Sequence, residues 1–320
     1  MFFPPSYKSL VYFNFSPLNI APQDRILVTN WFYPISIASR RTFGFEVRLT
    51  KMSLTANADT ASDINLVSRF LAHEQIKDLS AHTPVDCIVI CASAVLYQAE
   101  ILFHVLSARP DLAKTVVLCG GIGHSTPLIY DAVAKSTKFN TLAKEVVGLP
   151  EARVLEKIMD RYFDVSAITS KGCKILIEDK STNCGANALQ SRKVLESAGV
   201  PTPKTVILLQ DPTMALRTEA SFEKAYATLD DPPKFFSCPI FVPEMQVSDL
   251  ELQYSVTDVP GTELWETGRF FDLIIGEIPR LRDDEAGYGP KGKGFITHVD
   301  IPAEVEDAWK RLAGALMNHR

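Results

Sequence analysis

The sequence predicts an α/β fold built on a doubly wound parallel sheet, with a smaller helical lobe. Three observations carry that expectation. From Asp59 onward, short and almost wholly apolar runs alternate with longer stretches of helical periodicity. The runs lack the in–out alternation of a half-exposed sheet, so each strand is read as covered on both faces. Small and polar residues gather directly after each run, as they do at the carboxyl edge of a Rossmann-like sheet.

The elements follow in order. Thr60–Leu79 carries Ile64, Val67, Phe70 and Leu71 at helical spacing. Val85–Ala92 reads as the first strand and Val95–Ala108 as a helix. Lys114–Cys119 is the second strand, followed by the glycine cluster GGIGHST at 120–126. Thr126-Pro127 then opens a helix, with Thr126 as cap and Pro127 at the first helical position. Pro150 starts another helix, whose Ala152, Leu155, Met159 and Tyr162 line one face. Lys174–Ile177 is the third strand. A polar loop comes next, then a helix closed by Gly199 with Pro201 beyond. Lys204–Leu209 is the fourth strand, Asp211-Pro212 caps the helix after it, and Phe235–Phe241 is the fifth strand. From Thr262 the chain reads as mostly helical, interrupted by a loop rich in Gly, Pro and charge at Arg280–Gly294. Residues 82–245 form the expected α/β core, and 59–81 with 262–320 the expected helical lobe. No internal repeat is visible.

Residues 1–51 differ from the remainder. They are rich in aromatics and Pro, show little periodicity, and set Lys8, Arg25, Arg40, Arg41, Arg48 and Lys51 against Asp24 and Glu46. They are poorly amphipathic for a targeting helix. The expectation is an unstructured or spurious extension, with the folded region running from Met52 to Arg320.

Composition narrows the function. Of 320 residues, 46% are hydrophobic and 22% charged, ordinary proportions for a globular protein. A net charge of −5 supplies no basic footprint, which argues against nucleic-acid partners. No run approaches the ~18 apolar residues of a membrane span. Cys87, Cys91, Cys119, Cys173, Cys184 and Cys238 are scattered without a C-x-x-C pair, which fits a reducing compartment. The six histidines are equally dispersed, so no metal site is expected.

Glycines at 120, 121 and 123 free the backbone for unusual angles and close approach. Backbone amides gathered in such a loop cradle anions or polar nucleotides. The loop is neither G-x-x-x-x-G-K-[ST] nor a full G-x-G-x-x-G, because Thr126 stands at the third glycine position. The other strand ends carry Ala92-Ser93-Ala94, EDKSTNCGAN at 178–187 and QDPTM at 210–214. Each polar residue there has two readings. Asp211 is a helix cap or a ligand contact, and Ser181, Thr182 and Asn183 are cap and turn residues or ligand contacts. His124 is solvent-exposed or chemically active. Glu178 holds a ribose hydroxyl or pairs with an arginine. Arg217, one turn into a helix, clamps a carboxylate or phosphate or is solvated. In the tail loop, Arg280, Arg282, Asp283, Asp284 and Tyr288 close over the crevice or pair among themselves. Asp283-Asp284-Glu285 lacks further ligands at metal spacing.

The strings GGIGHST, EDKSTNCGANA, QDPTM with Arg217, and GEIPRLRDD…GYGP…FI-x-HVD-x-PAEV resemble the SanA/YdcF-like family, domain of unknown function 218. The resemblance spans roughly Met52 to the C-terminus. It implies a Rossmann-like domain with a smaller helical domain, and binding of S-adenosylmethionine without an established transfer reaction. Its motif residues correspond to Gly120, Gly121, Glu151, Glu178, Ser181, Asn183, Asn187, Asp211 and Arg217. The chain departs from the family at Ala186-Asn187, where Glu-Asn is usual, and at Ala92-Ser93, where Gly-Asn is usual. Some relatives are tied to the cell envelope by membrane anchors, so the expected cytoplasmic location has membrane association as its alternative.

The leading expectation is therefore a protein that binds S-adenosylmethionine or a related nucleoside at the carboxyl edge of the sheet. Gly120, Gly121 and Gly123 would hold its polar end. Glu178 would contact ribose, and Ser93, Ser181, Asn183, Asn187 and Asp211 would complete the pocket. His124 is the acid–base candidate, its ordinary pKa lying near neutrality. Two alternatives stand beside it. One is a hydrolase or group-transfer enzyme for a phosphorylated or sugar-linked small molecule, using His124, Glu151 and Arg217. The other is a non-catalytic sensor or scaffold.

Overall fold

The five apolar runs form one parallel sheet: β1 (Val85–Cys91), β2 (Ala113–Cys119), β3 (Lys174–Glu178), β4 (Thr205–Leu209) and β5 (Lys234–Ser237), in the order β3-β2-β1-β4-β5. The computed structural model describes residues 54–256 and 259–317, all within the unit Thr50–Arg320. The expectation for residues 1–51 lies outside them.

The helices are α1 (Ala58–Ala72), α2 (Tyr97–Ala108), α3 (Thr126–Lys135), α4 (Ala143–Val146), α5 (Glu151–Tyr162), α6 (Val165–Thr169), α7 (Cys184–Ser197), α8 (Ala215–Tyr226), α9 (Thr267–Leu281) and α10 (Ala303–Met317). Successive residues of a strand point to opposite faces, so each strand feeds two cores. Ile88, Ile90, Val116, Leu118, Ile207 and Leu209 pack with residues of α2, α3 and α5. Cys87, Val89, Val117, Val206 and Leu208 pack on the opposite face with Ala188 and Leu195 of α7 and Phe222 and Tyr226 of α8. This two-sided burial explains why the strands are apolar throughout. The fold is Rossmann-like.

A further core joins Ile64, Val67 and Leu71 of α1 to Phe270, Ile274 and Ile278 of α9 and Leu312 of α10. Leu216 and Ala220 of α8 belong to it as well, so α8 contributes to two cores. An antiparallel hairpin, β6 (Met245–Ser248) with β7 (Glu251–Tyr254), adds Met245.

Several boundaries differ from the sequence expectation, each for a local reason. The first helix stops at Ala72 because His73 turns left-handed, with φ 43°, and its N–H caps Arg69 O at 3.2 Å. The fifth strand stops at Ser237: Pro239 has no N–H to donate and Ile240 takes φ 71°. α9 continues through Pro279, so Arg280 lies on a helix and the irregular tail segment begins at Arg282. Asp283 and Asp284 fold that segment by accepting from the N–H groups of Lys291 (2.6 Å), Ala286 (3.0 Å) and Gly287 (2.9 Å). Arg282 meanwhile pairs with Glu306 at 2.5 Å.

Candidate functional site at the carboxyl edge

Strand register brings the loop residues to one level. Cys91 pairs with Cys119, Cys119 with Glu178, and Ile90 with Leu209. The strand order reverses between β1 and β4, and a crevice beyond the carboxyl ends at such a point is the usual ligand position. Ser93 follows β1 and Asp211 follows β4, so these two residues stand at the reversal.

The glycine cluster has a different cause from the one expected. A Cβ on Gly121 would lie 2.1 Å from the Ser181 carbonyl oxygen, and one on Gly123 would lie 2.9 Å from that of Thr182. Glycine is required because the β2–α3 loop rests directly on the β3–α7 loop. Its amides are occupied as well. Gly120 N–H donates to Glu178 O at 2.9 Å, Gly121 N–H to Ser181 Oγ at 3.1 Å, and Gly123 N–H to Thr126 Oγ1 at 2.8 Å. The expected cradle of glycine amides is thus filled by the protein's own acceptors.

Glu178 is 1% exposed and accepts from Lys180 N–H (2.8 Å), Ser181 N–H (2.9 Å), Ser181 Oγ (2.5 Å) and Cys119 Sγ (3.2 Å). Both carboxylate oxygens are engaged within this loop, so a ribose hydroxyl would have to displace one of these donors. The pairing with an arginine is not made, because Arg153 pairs with neighbouring Asp179 instead. Asn183 is the cap of α7, its Oδ1 accepting from Ala186 N–H at 3.0 Å. Ser181 links the two loops through the same hydroxyl that meets Gly121 and Glu178.

Glu151 stands at the first position of α5, where the helix dipole favours a carboxylate. Its Oε1 accepts from Thr126 Oγ1 at 2.9 Å, and its Oε2 accepts no hydrogen bond from the described residues. Burial raises its pKa, with the Thr126 bond opposing. His124 is exposed on the adjacent loop, and Asn187 is half-buried on α7. Neither side chain makes a hydrogen bond among the described residues.

Asp211 is 4% exposed and accepts four bonds. Thr213 supplies N–H at 3.0 Å and Oγ1 at 2.6 Å to Oδ1, while Ser93 Oγ at 3.2 Å and Trp265 Nε1 at 3.1 Å reach Oδ2. Burial pushes its pKa up against these donors. Arg217 forms a bidentate pair with Glu277 of α9, at 2.5 and 3.1 Å. Arg280 adds a third bond to Glu277 at 3.0 Å. The structure therefore groups Glu151 with the His124 loop but ties Arg217 to α9.

Sequence reasoning missed Trp265 and Glu277. Neither lies in a polar run after a strand, and both reach the edge from elements far along the chain. Among the described residues no three His, Cys, Asp or Glu side chains are grouped to hold a metal ion. No described helix is long and apolar enough to cross a membrane. No protein-family model matches the chain.

Proposed function

We propose that the chain binds S-adenosylmethionine or a related nucleoside at the carboxyl edge, between the loops after β1, β2 and β4. The charge of the carboxylates there carries this reading. Glu178 and Asp211 are buried and Glu151 is half-buried, and the Arg217 guanidinium is held by Glu277. A phosphate would meet like charge, whereas a hydroxyl-rich or cationic ligand would meet an open acceptor at Glu151 and, by exchange of a donor, one at Asp211. S-adenosylmethionine has a ribose diol, an ammonium group and a sulfonium to set against these acceptors, and a single carboxylate that must point away from them. The resemblance to the SanA/YdcF-like family names the same ligand, and Glu151 Oε2 and Asn187 supply open polar groups beside the crevice.

Calorimetric titration of the full chain with S-adenosylmethionine, S-adenosylhomocysteine and adenosine 5′-monophosphate tests the proposal. The expected result is one saturable site for the first two ligands, weakened by Glu151→Gln, with the monophosphate bound about tenfold less tightly. No heat of binding from a cooperatively folding sample overturns the nucleoside reading. Preference for the monophosphate transfers the site to the phosphorylated-substrate alternative.

A further inference from the structure

Trp265 closes the reversal point from the core of α1, α9 and α10. Its indole stacks on Phe270, with centroids 5.6 Å apart and planes at 22°, and leans on Phe241 at 6.0 Å. Its N–H lies 3.1 Å from Asp211 Oδ2, the same oxygen that accepts from Ser93. The stretch that carries it, 259–266, contains one short 3-10 turn, Gly261–Glu263, and belongs to no sheet.

Side chains hold this stretch in place. Trp265 N–H binds Asp211, the Tyr254 hydroxyl donates to Trp265 O at 3.1 Å, and Lys138 stands 3.9 Å from Glu263. Val259 packs in a small apolar cluster with Val95 and Phe241. A segment attached by side chains rather than by a backbone ladder opens at low free energy. Glu178 offers a contrast, because its donors are mostly its own loop and cannot leave without unfolding it.

We propose that Trp265 is a latch on the ligand site and that Asp211, not Glu178, is the carboxylate that receives the ribose diol. The proposal rests on the nucleoside reading above. In the latched state the indole N–H takes the position on Asp211 Oδ2 that a ligand hydroxyl takes when bound. Binding exchanges an N–H···O bond for an O–H···O bond at the same oxygen and moves the indole away from Asp211. The exchange is nearly balanced in hydrogen bonds, so the latch sets affinity and selects ligands able to donate at that point.

The test is calorimetric titration of the full chain and of Trp265→Phe with adenosine and S-adenosylmethionine, while tryptophan emission is followed. Phenylalanine keeps the ring among Phe241 and Phe270 but has no N–H to donate. The variant should bind both probes about tenfold more tightly, the factor for one hydrogen bond of ~1.4 kcal/mol removed from the closed state. The difference in emission between the two proteins isolates Trp265 from Trp31 and Trp309, and should shift to the red at saturation. Binding by the variant alone supports the latch. Equal or weaker binding by the variant, with no shift in wild-type emission, overturns the latch and leaves the site standing. Binding by neither protein removes the nucleoside reading and the latch with it. Should Trp265→Phe fail to unfold cooperatively, the wild-type emission decides: an unshifted spectrum at saturating ligand overturns the latch.

Discussion

Glu178 and Asp211 are two buried carboxylates at the ends of strands in the same sheet, and each accepts four hydrogen bonds. They differ in where the donors come from. Three of the four to Glu178 come from Lys180 and Ser181, within three residues of it. Asp211 draws two from Thr213, one from Ser93 after β1 and one from Trp265 beyond β7. The first carboxylate folds a loop on itself, and the second joins separate parts of the chain. Saturation of an acceptor is therefore a poor guide to function. What matters is whether a donor can leave without unfolding its own segment.

The largest expected effect tests that distinction directly. Glu178→Ala leaves the Lys180 and Ser181 amides without their acceptor and removes the contact that sets Ser181 against Gly121. Urea unfolding should show a loss of about 3 kcal/mol. Asp211→Asn retains an oxygen for Thr213 and should cost about 1 kcal/mol. Equal losses in the two variants would break the comparison. So would Glu178→Ala that folds at full stability yet no longer binds the nucleoside.

Glu219 of α8 sharpens the comparison as a third case, a buried carboxylate left partly unsatisfied. Its Oε2 is buried, accepts no hydrogen bond from the described residues, and lies 3.3 Å from His73 Nε2. The Gln75 amide stands 3.0 Å from that same ring nitrogen and donates to it, so Nε2 carries no proton while His73 is neutral. Burial, and then the charge of Glu223, push the Glu219 pKa up to about 7. Burial holds His73 down, with Glu223 opposing. The signs are opposite. Glu219 contributes stability that is full below the ordinary carboxylate range and is lost as pH rises toward 7. His73 contributes stability present above its ordinary value and lost as pH falls. Glu219→Gln removes the contribution of Glu219. The variant should exceed wild type by about 2 kcal/mol at pH 8 and match it at pH 4.5, by urea unfolding at the two pH values. A constant difference at both would show that Glu219 titrates alike in the native and unfolded states, with no upward shift.

The same distinction between local and distant donors explains what was legible in the sequence. The five strands could be read because burial on both faces leaves a continuous apolar run, as in Val116–Cys119 and Val206–Leu209. The loops at their ends could be located because turns and caps choose small polar residues. Their roles could not, because Ser181 and Asn183 look alike whether they cap a helix or hold a ligand. β6 and β7 escaped notice for a different reason. They are four residues each, largely exposed, and joined through Asp249 and Leu250 at φ 51° and 63° with no glycine to signal the turn. Trp265 and the Arg217–Glu277 pair depend on how the tail returns to the sheet, which no local pattern records.

The smallest expected effect separates the two readings of Asn183 that the sequence left open. Its side chain accepts from Ala186 N–H, satisfying one of the amides that the first turn of α7 leaves without a helical partner. Loss of such a cap costs about 1 kcal/mol. Asn183→Ala should therefore lower stability by that amount while nucleoside affinity stays within about twofold of wild type. Asn183→Asp keeps the cap oxygen and adds a negative charge at the helix start, so it should recover the stability. If Asn183→Ala instead weakens binding about tenfold at unchanged stability, the β3–α7 loop reaches the ligand as well as its own helix. The contrast between a loop that folds itself and a reversal point that meets the ligand would then have to be redrawn with Asn183 on the ligand's side.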